Sequence, residues 1–183
     1  MPQVTELLDA SRRGDDAALD RLFDLLYEDM RRLAHARLRR SGNVTLLDTT
    51  SLVHESYLRL IQTGGIEAKD KAHFMGYAAQ VMRSIVIDFI RRRLADRRGG
   101  DVVHVQLDAA DQLPTDPRER EVLQVHEALE HLAAIDAHLA KVVEMRYFAG
   151  MTEPEVAEAL DRSVRSVARD WEKARLFLSA SLS

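Results

Sequence analysis

The segment from Val142 to Phe177 constrains this chain most. Val142 to Phe148 reads as a helix leading into Ala149-Gly150-Met151. Thr152-Glu153-Pro154-Glu155 then opens a second helix as a capping box. The Thr152 hydroxyl accepts from the Glu155 amide, the Glu155 carboxylate reaches back, and Pro154 sits in the first turn, where a missing N–H is no loss. That helix runs through Val156, Ala157 and Leu160 and stops at Asp161-Arg162, and Ser163 caps a third, Val164 to about Phe177. Two short helices, a tight turn and a basic third helix make a helix-turn-helix, a module that reads DNA. Ala157 and Val167 fall where the two helices approach closely, with Val164 and Trp171 on the same side as Val167. Arg165, Ser166, Arg169 and Lys173 then point outward and, with Arg162, are placed to meet phosphates or guanine edges. Asp161 stands where such turns usually carry glycine, and Asp tolerates left-handed backbone better than most residues.

The formal net charge of −4 argues against a uniformly basic nucleic-acid binder, so the distribution of charge matters more than its sum. Arg83 to Arg98 holds six arginines against Asp88 and Asp96, and Arg162 to Arg175 holds five bases against two acids. Between them, Asp101 to Asp116 carries four aspartates and no Lys or Arg, and residues 119 to 161 are also acidic. Two basic surfaces separated by an acidic stretch predict two domains, because a structureless segment of that length is unusual inside one compact domain. At 183 residues the chain suits that division.

The first half reads as helix throughout. Val4, Leu7, Leu8, then Ala18, Leu22, Leu25, Leu26, then Met30, Leu33, Ala34 and Leu38 recur at three- and four-residue spacing. Asp48-Thr49-Thr50 offers cap residues before Leu52, Val53, Tyr57, Leu58 and Leu60-Ile61, and Gly64-Gly65 ends that run. A further helix begins at His73-Phe74 and continues through Tyr77, Val81, Ile85 and Phe89 into the arginine cluster. Val102 to Val105 is the only strand candidate. The expected fold is all-α: residues 1–97, an acidic linker 98–117, and residues 118–183 carrying the helix-turn-helix.

Several function classes fare poorly. With no cysteine there is no disulfide framework, thiol nucleophile or Cys-based zinc site. His54-Glu55 begins a zinc-protease pattern, but Leu58 stands where the second His belongs. His126, His131 and His138 do not share one helix face at metal spacing, and Gly64-Gly65 and Gly99-Gly100 lack the Lys-Ser/Thr of a phosphate loop. No cofactor, metal or catalytic residue is expected. No apolar run approaches a membrane span, and no signal peptide is visible, so no membrane partner and a cytoplasmic location are expected.

In three segments the chain resembles the bacterial RNA polymerase sigma factors of the extracytoplasmic-function type. Leu52-Val53-His54-Glu55-Ser56-Tyr57-Leu58-Arg59-Leu60 resembles that family's polymerase-binding helix. Phe74-x-x-Tyr77 followed by Arg83 to Arg93 resembles its promoter-melting helix, and the helix-turn-helix resembles its −35-reading module. Thr49-Thr50-Ser51-Leu52-Val53-His54-Glu55 is similar to a subfamily with Thr-Thr-Ala-Leu-Val-His-Glu at that place. The resemblance implies a transcription initiation factor whose partners are core RNA polymerase and promoter DNA. Asp48, Leu52, Val53, Glu55, Leu58 and Arg59 would meet polymerase. Phe74, Tyr77, Arg83, Ser84, Arg91, Arg92 and Arg93 would engage the −10 element, with charge for the backbone and aromatics for unstacked bases. Core packing is the competing reading of Phe74 and Tyr77. Arg162, Arg165, Ser166, Arg169 and Lys173 would read −35. Most of the family has Asn where Ser84 stands, so the −10 base preference is open.

The main departure precedes Leu52, where most of the family carries acids that pair with basic residues on the polymerase. Here stand Asp48-Thr49-Thr50-Ser51, and a phosphorylated hydroxyl would restore roughly −1.5 to −2 of charge. Thr50 foremost, then Ser51 or Thr49, is therefore a candidate for a Ser/Thr kinase, with helix capping as the simpler role. The resemblance also leaves room for an inhibitory anti-sigma protein over the polymerase face. The alternative is a two-domain helix-turn-helix regulator that acts without core polymerase and would bind a palindrome as a dimer.

Overall fold

The computed structural model describes residues 2–40, 47–62, 68–97 and 116–182, and every regular element among them is helical. Four helices form the N-terminal half: α1 (Pro2–Arg12), α2 (Asp16–Arg40), α3 (Thr49–Gln62) and α4 (Lys71–Arg97). The C-terminal half holds α5 (Pro117–Ile135), α6 (Ala137–Val143) running on into a π-helical turn (Glu144–Phe148), α7 (Glu153–Ala159) and α8 (Val164–Ser181). The all-α expectation holds. The acidic linker lies outside the described residues except for its last two, as does the strand candidate at Val102 to Val105.

Helices α2 to α8 each start where a short polar side chain receives an orphan amide of the first turn. Asp48 accepts from the amide of Ser51 at 2.8 Å, and Asp70 from that of His73 at 2.9 Å, so α4 begins ahead of the His73-Phe74 start read from the sequence. Asp116 accepts from Arg118, with Pro117 in the first turn, and Asp136 from His138 and Leu139. Thr49 and Thr50 are therefore the first residues of α3, and Asp48 is its cap.

The apolar periodicity becomes the core. Leu22, Leu26 and Met30 of α2 close on Val4 and Leu8 of α1, Leu52 and Leu60 of α3, and Phe74 and Met82 of α4 in one buried cluster. Each fully buried side chain of this size stabilises the fold by roughly 1.5–3 kcal/mol. Helix α4 is buried on most of its circumference, through Phe74, Ala78, Met82, Val86, Ile87 and Ile90. A helix apolar on nearly every side needs neighbours on nearly every side. Helices α2 and α3 cover one flank, and α5, the π turn and α7 cover another. The same cluster continues into the C-terminal half through Leu129, Leu132, Val143 and Phe148. Gly76 lets Met145 approach closely at this junction, since a Cβ there would stand 3.0 Å from Cε of Met145.

Candidate functional site

The helix-turn-helix is built as its sequence dictates. The Thr152 amide donates to Glu155 Oε2 at 2.7 Å and the Glu155 amide to Thr152 Oγ1 at 3.4 Å, completing the capping box. The Thr152 amide, and with it the Thr152 hydroxyl, which donates to the same Oε2 at 2.7 Å, hold the Glu155 carboxyl below its ordinary range. Ser163 caps α8 by accepting from Ser166 at 3.1 Å, and α8 runs beyond Phe177 to Ser181. Asp161 takes the left-handed turn at φ 51°, and Gly150 turns the chain ahead of α7 at φ 70°.

Ala157 and Val167 are buried against each other's helices in a second cluster with Val142, Met145, Met151 and Val156. Val164 departs from the sequence reading: it is 44 % exposed, because as the first residue of α8 it leans toward the helix N-terminus, away from the cluster. Arg165, Arg169 and Lys173 are exposed along one side of α8, and Ser166 is half-buried beside them. Arg162 is exposed yet tethered, donating to Ser166 Oγ at 2.7 Å and to the buried Asp170 at 3.4 Å, while His138 Nε2 meets the same carboxylate at 3.2 Å. Arg146 was not singled out by the sequence. It donates to the Met151 carbonyl at 3.1 Å and to Glu153 at 3.2 Å, with its guanidinium 5.3 Å from the centre of the Trp171 ring. It thereby pins the turn before α7 to the flank of α8.

Helix α3 divides the polymerase-facing candidates in two. Leu52 and Val53 are fully buried, so their part is to fix α3 to the core. Thr50, Ser51, His54, Glu55, Leu58 and Ile61 form the exposed stripe, and its apolar members Leu58 and Ile61 are 51 % and 45 % exposed. Thr49 is half-buried. The Asp48 carboxyl lies below its ordinary range because the Ser51 amide donates to it, with smaller help from the Ser51 hydroxyl and the Thr50 amide. Arg59 bridges the stripe to α4: its Nε lies 3.6 Å from Glu55, and its guanidinium donates to Ser84 Oγ at 3.1 Å and lies 2.8 Å from Asp88.

Along α4 the −10 candidates are not presented together. Phe74 is 1 % exposed and belongs to the core, so of its two readings the structure displays packing. Tyr77 is half-buried and lines a cavity of about 440 Å³ with Gln80, Arg83, Glu130 and Glu144. Ser84, Arg91 and Arg92 are exposed. Arg83 is 7 % exposed and held by the C-terminal half. Its Nε lies 2.6 Å from Glu144 Oε1, a charge contact rather than an aligned hydrogen bond, its Nη2 donates to Glu130 at 3.2 Å, and its Nη1 meets the His126 ring. Arg93 lies 3.6 Å from the fully buried Glu119. Burial pushes the Glu144 carboxyl up, against the pull of Arg83 and Arg37. Burial and the neighbouring Arg83 push the His126 ring down. The acidic character of residues 119 to 161 was legible in the sequence, but its partner was not.

Among the described residues no group of His, Asp and Glu is placed to hold a metal ion, and no helix is long and apolar enough to cross a membrane. No curated protein matches the chain. A solved structure, that of CnrH in complex with the cytosolic domain of CnrY, is similar at 19 % identity over 98 % of this chain and 97 % of that one, with a TM-score of 0.42. The family model described as ECF sigma factor matches residues 1–183. A match over the whole length places the chain in the extracytoplasmic-function sigma factors, the initiation factors of transcription.

Proposed function

We propose that this chain binds core RNA polymerase through the exposed stripe of α3 and carries it to promoters, reading −35 with α8 and −10 with α4. The observation that carries this reading is the stripe itself: Leu58 and Ile61 stand in water toward the C-terminal end of α3, on the face that carries Glu55 and, at the other end, Thr50. Large apolar side chains exposed in a row on one helix mark a surface for a protein partner. On α8 the exposed Arg165, Arg169 and Lys173 supply the phosphate and base contacts, and Arg162 joins them on leaving Asp170.

Phosphorylation of Thr50 licenses polymerase binding. Thr50 is exposed in the first turn of α3, one turn from Glu55 and two from Leu58. A phosphoryl group there adds the missing negative charge at the positive end of the helix dipole, where it is stabilised rather than strained. Ser51 and Thr49 are the lesser candidates, Thr49 because it is half-buried.

The test is binding of the purified chain to bacterial core RNA polymerase in four forms: unmodified, kinase-phosphorylated, Thr50→Glu and Leu58→Asp. Binding by the phosphorylated chain, with weak binding by the unmodified one and by phosphorylated Leu58→Asp, is expected. Equal binding by unmodified and phosphorylated chains removes the licensing step and leaves the sigma role. Failure of every form favours a regulator that works without polymerase.

A further inference from the structure

We infer that the carboxylates of α5 and the π turn act as an intramolecular substitute for promoter phosphates, holding α4 in a closed state that DNA must displace. The inference rests on the promoter-facing role of α4 proposed above.

Arginines that serve a nucleic-acid backbone must be reachable by phosphate. Arg83 is not, because Glu144, Glu130 and His126 occupy its guanidinium, and Glu119 stands beside Arg93. All of these partners come from the C-terminal half, and their carboxylate oxygens supply the charge and acceptor geometry that phosphate oxygens would bring. The closure is also shaped: Met145 fills the notch over Gly76, and the Arg37 guanidinium lies 4.3 Å from the centre of the Phe148 ring. A chain with two basic surfaces thus keeps one of them neutralised internally.

The closed state carries its own weakness. Glu144 Oε2 is buried with no hydrogen-bond partner among the described residues, and such a group costs free energy wherever water could have satisfied it. Opening hydrates Glu144 and frees Arg83 for an external anion. Arg91 and Arg92, on the last turns of α4, remain exposed while the latch is shut. They offer a first foothold for a phosphate backbone, from which it reaches the covered arginines as the halves part. Population arithmetic gives the size of the effect. If the open state is a few per cent of the free protein, apparent affinity for a strand is reduced by that fraction, and releasing the latch restores about tenfold or more.

The chain has no cysteine, so Glu28→Cys in α2 and Ala180→Cys in α8 give one spin-labelled pair on exposed positions in the two halves. Interspin distance and the affinity for a fluorescein-labelled mixed-sequence single strand are measured on the full chain, with and without Glu130→Gln and Glu144→Gln together. The expected result is a longer, broader distance distribution and about tenfold tighter strand binding in the double variant. Glu130→Gln alone, on a partly exposed side chain, should shift both readouts the same way by less, and serves if the double variant fails to fold. An unchanged distance overturns the latch and leaves the promoter role standing. A longer distance without tighter binding also overturns the proposal, and it removes α4 from strand recognition.

Discussion

Phe74 separates a packing residue from a base-stacking one, and its replacement has a calculable consequence. The ring is among the largest fully buried side chains, in the cluster shared by α1 to α4. Phe74→Ala removes most of that ring from a site walled by helices on several sides, where collapse is limited. The transfer and cavity terms together should cost about 3–5 kcal/mol. For a chain of this length each kcal/mol corresponds to roughly 2–4 °C of melting temperature, so a fall of roughly 6–20 °C is expected. Phe74→Leu keeps most of the volume and should lose less than about 1.5 kcal/mol. Urea and thermal unfolding followed by helical circular dichroism measure both, alongside single-strand affinity at a temperature where each variant is folded. Folded Phe74→Leu should bind a strand as the parent does. A stability loss below about 1 kcal/mol for Phe74→Ala, with strand binding abolished in the folded variant, would refute the packing assignment.

Thr152→Ala should destabilise the C-terminal half by about 1 kcal/mol, read from the urea midpoint. The Glu155 carboxyl is held below its ordinary range, so its contribution is present above that range and is lost as pH falls through the lowered value. His126 is pushed down as well, which makes the native state bind fewer protons than the unfolded chain. Stability should therefore fall as pH drops below the ordinary histidine value of about 6.5, and His126→Gln should show a shallower fall over the same window. Glu144 contributes with the opposite sign in acid, so the difference between parent and His126→Gln is the informative quantity. Asp161→Gly relieves a left-handed turn, and an increase on the order of 0.5–1 kcal/mol is expected in thermal unfolding.

What the sequence made legible was local. The capping box at Thr152, the Ser163 cap and the outward bases of α8 each follow from residues within one or two turns of each other, and the structure shows them so. Asp48 was legible as polar but not as the cap of α3, because Asp, Thr and Thr in a row all suit that position and only backbone geometry selects among them. The α4 candidates were less readable for a different reason. A helix apolar on nearly all sides gives no period from which to deduce which flank is covered and by what. An arginine in such a helix looks equally suited to DNA or to a buried partner. The partners that Arg83 holds in this structure, Glu130, Glu144 and His126, lie more than forty residues downstream, beyond the reach of any local pattern. Val164 shares the helical phase of Val167 yet is exposed, because cover runs out within a turn of a helix end.

The π turn at Glu144–Phe148 bears on how this molecule could be retuned over generations. Such a turn amounts to one residue too many in an otherwise ordinary helix. Here it falls on the stretch that offers Glu144, Met145 and Phe148 to the other half of the protein. Removing a single codon there would let the end of α6 take the usual winding and change which of these side chains meet the other half, while the helix before the turn keeps its phase. Contacts that many substitutions would erode only gradually could be dismissed in one genetic event, with both helical halves and their local caps preserved. Relatives that differ by one residue at this place would then be expected to differ in how firmly their halves cohere while reading similar promoters. The length of this segment, more than its composition, is the variable to compare.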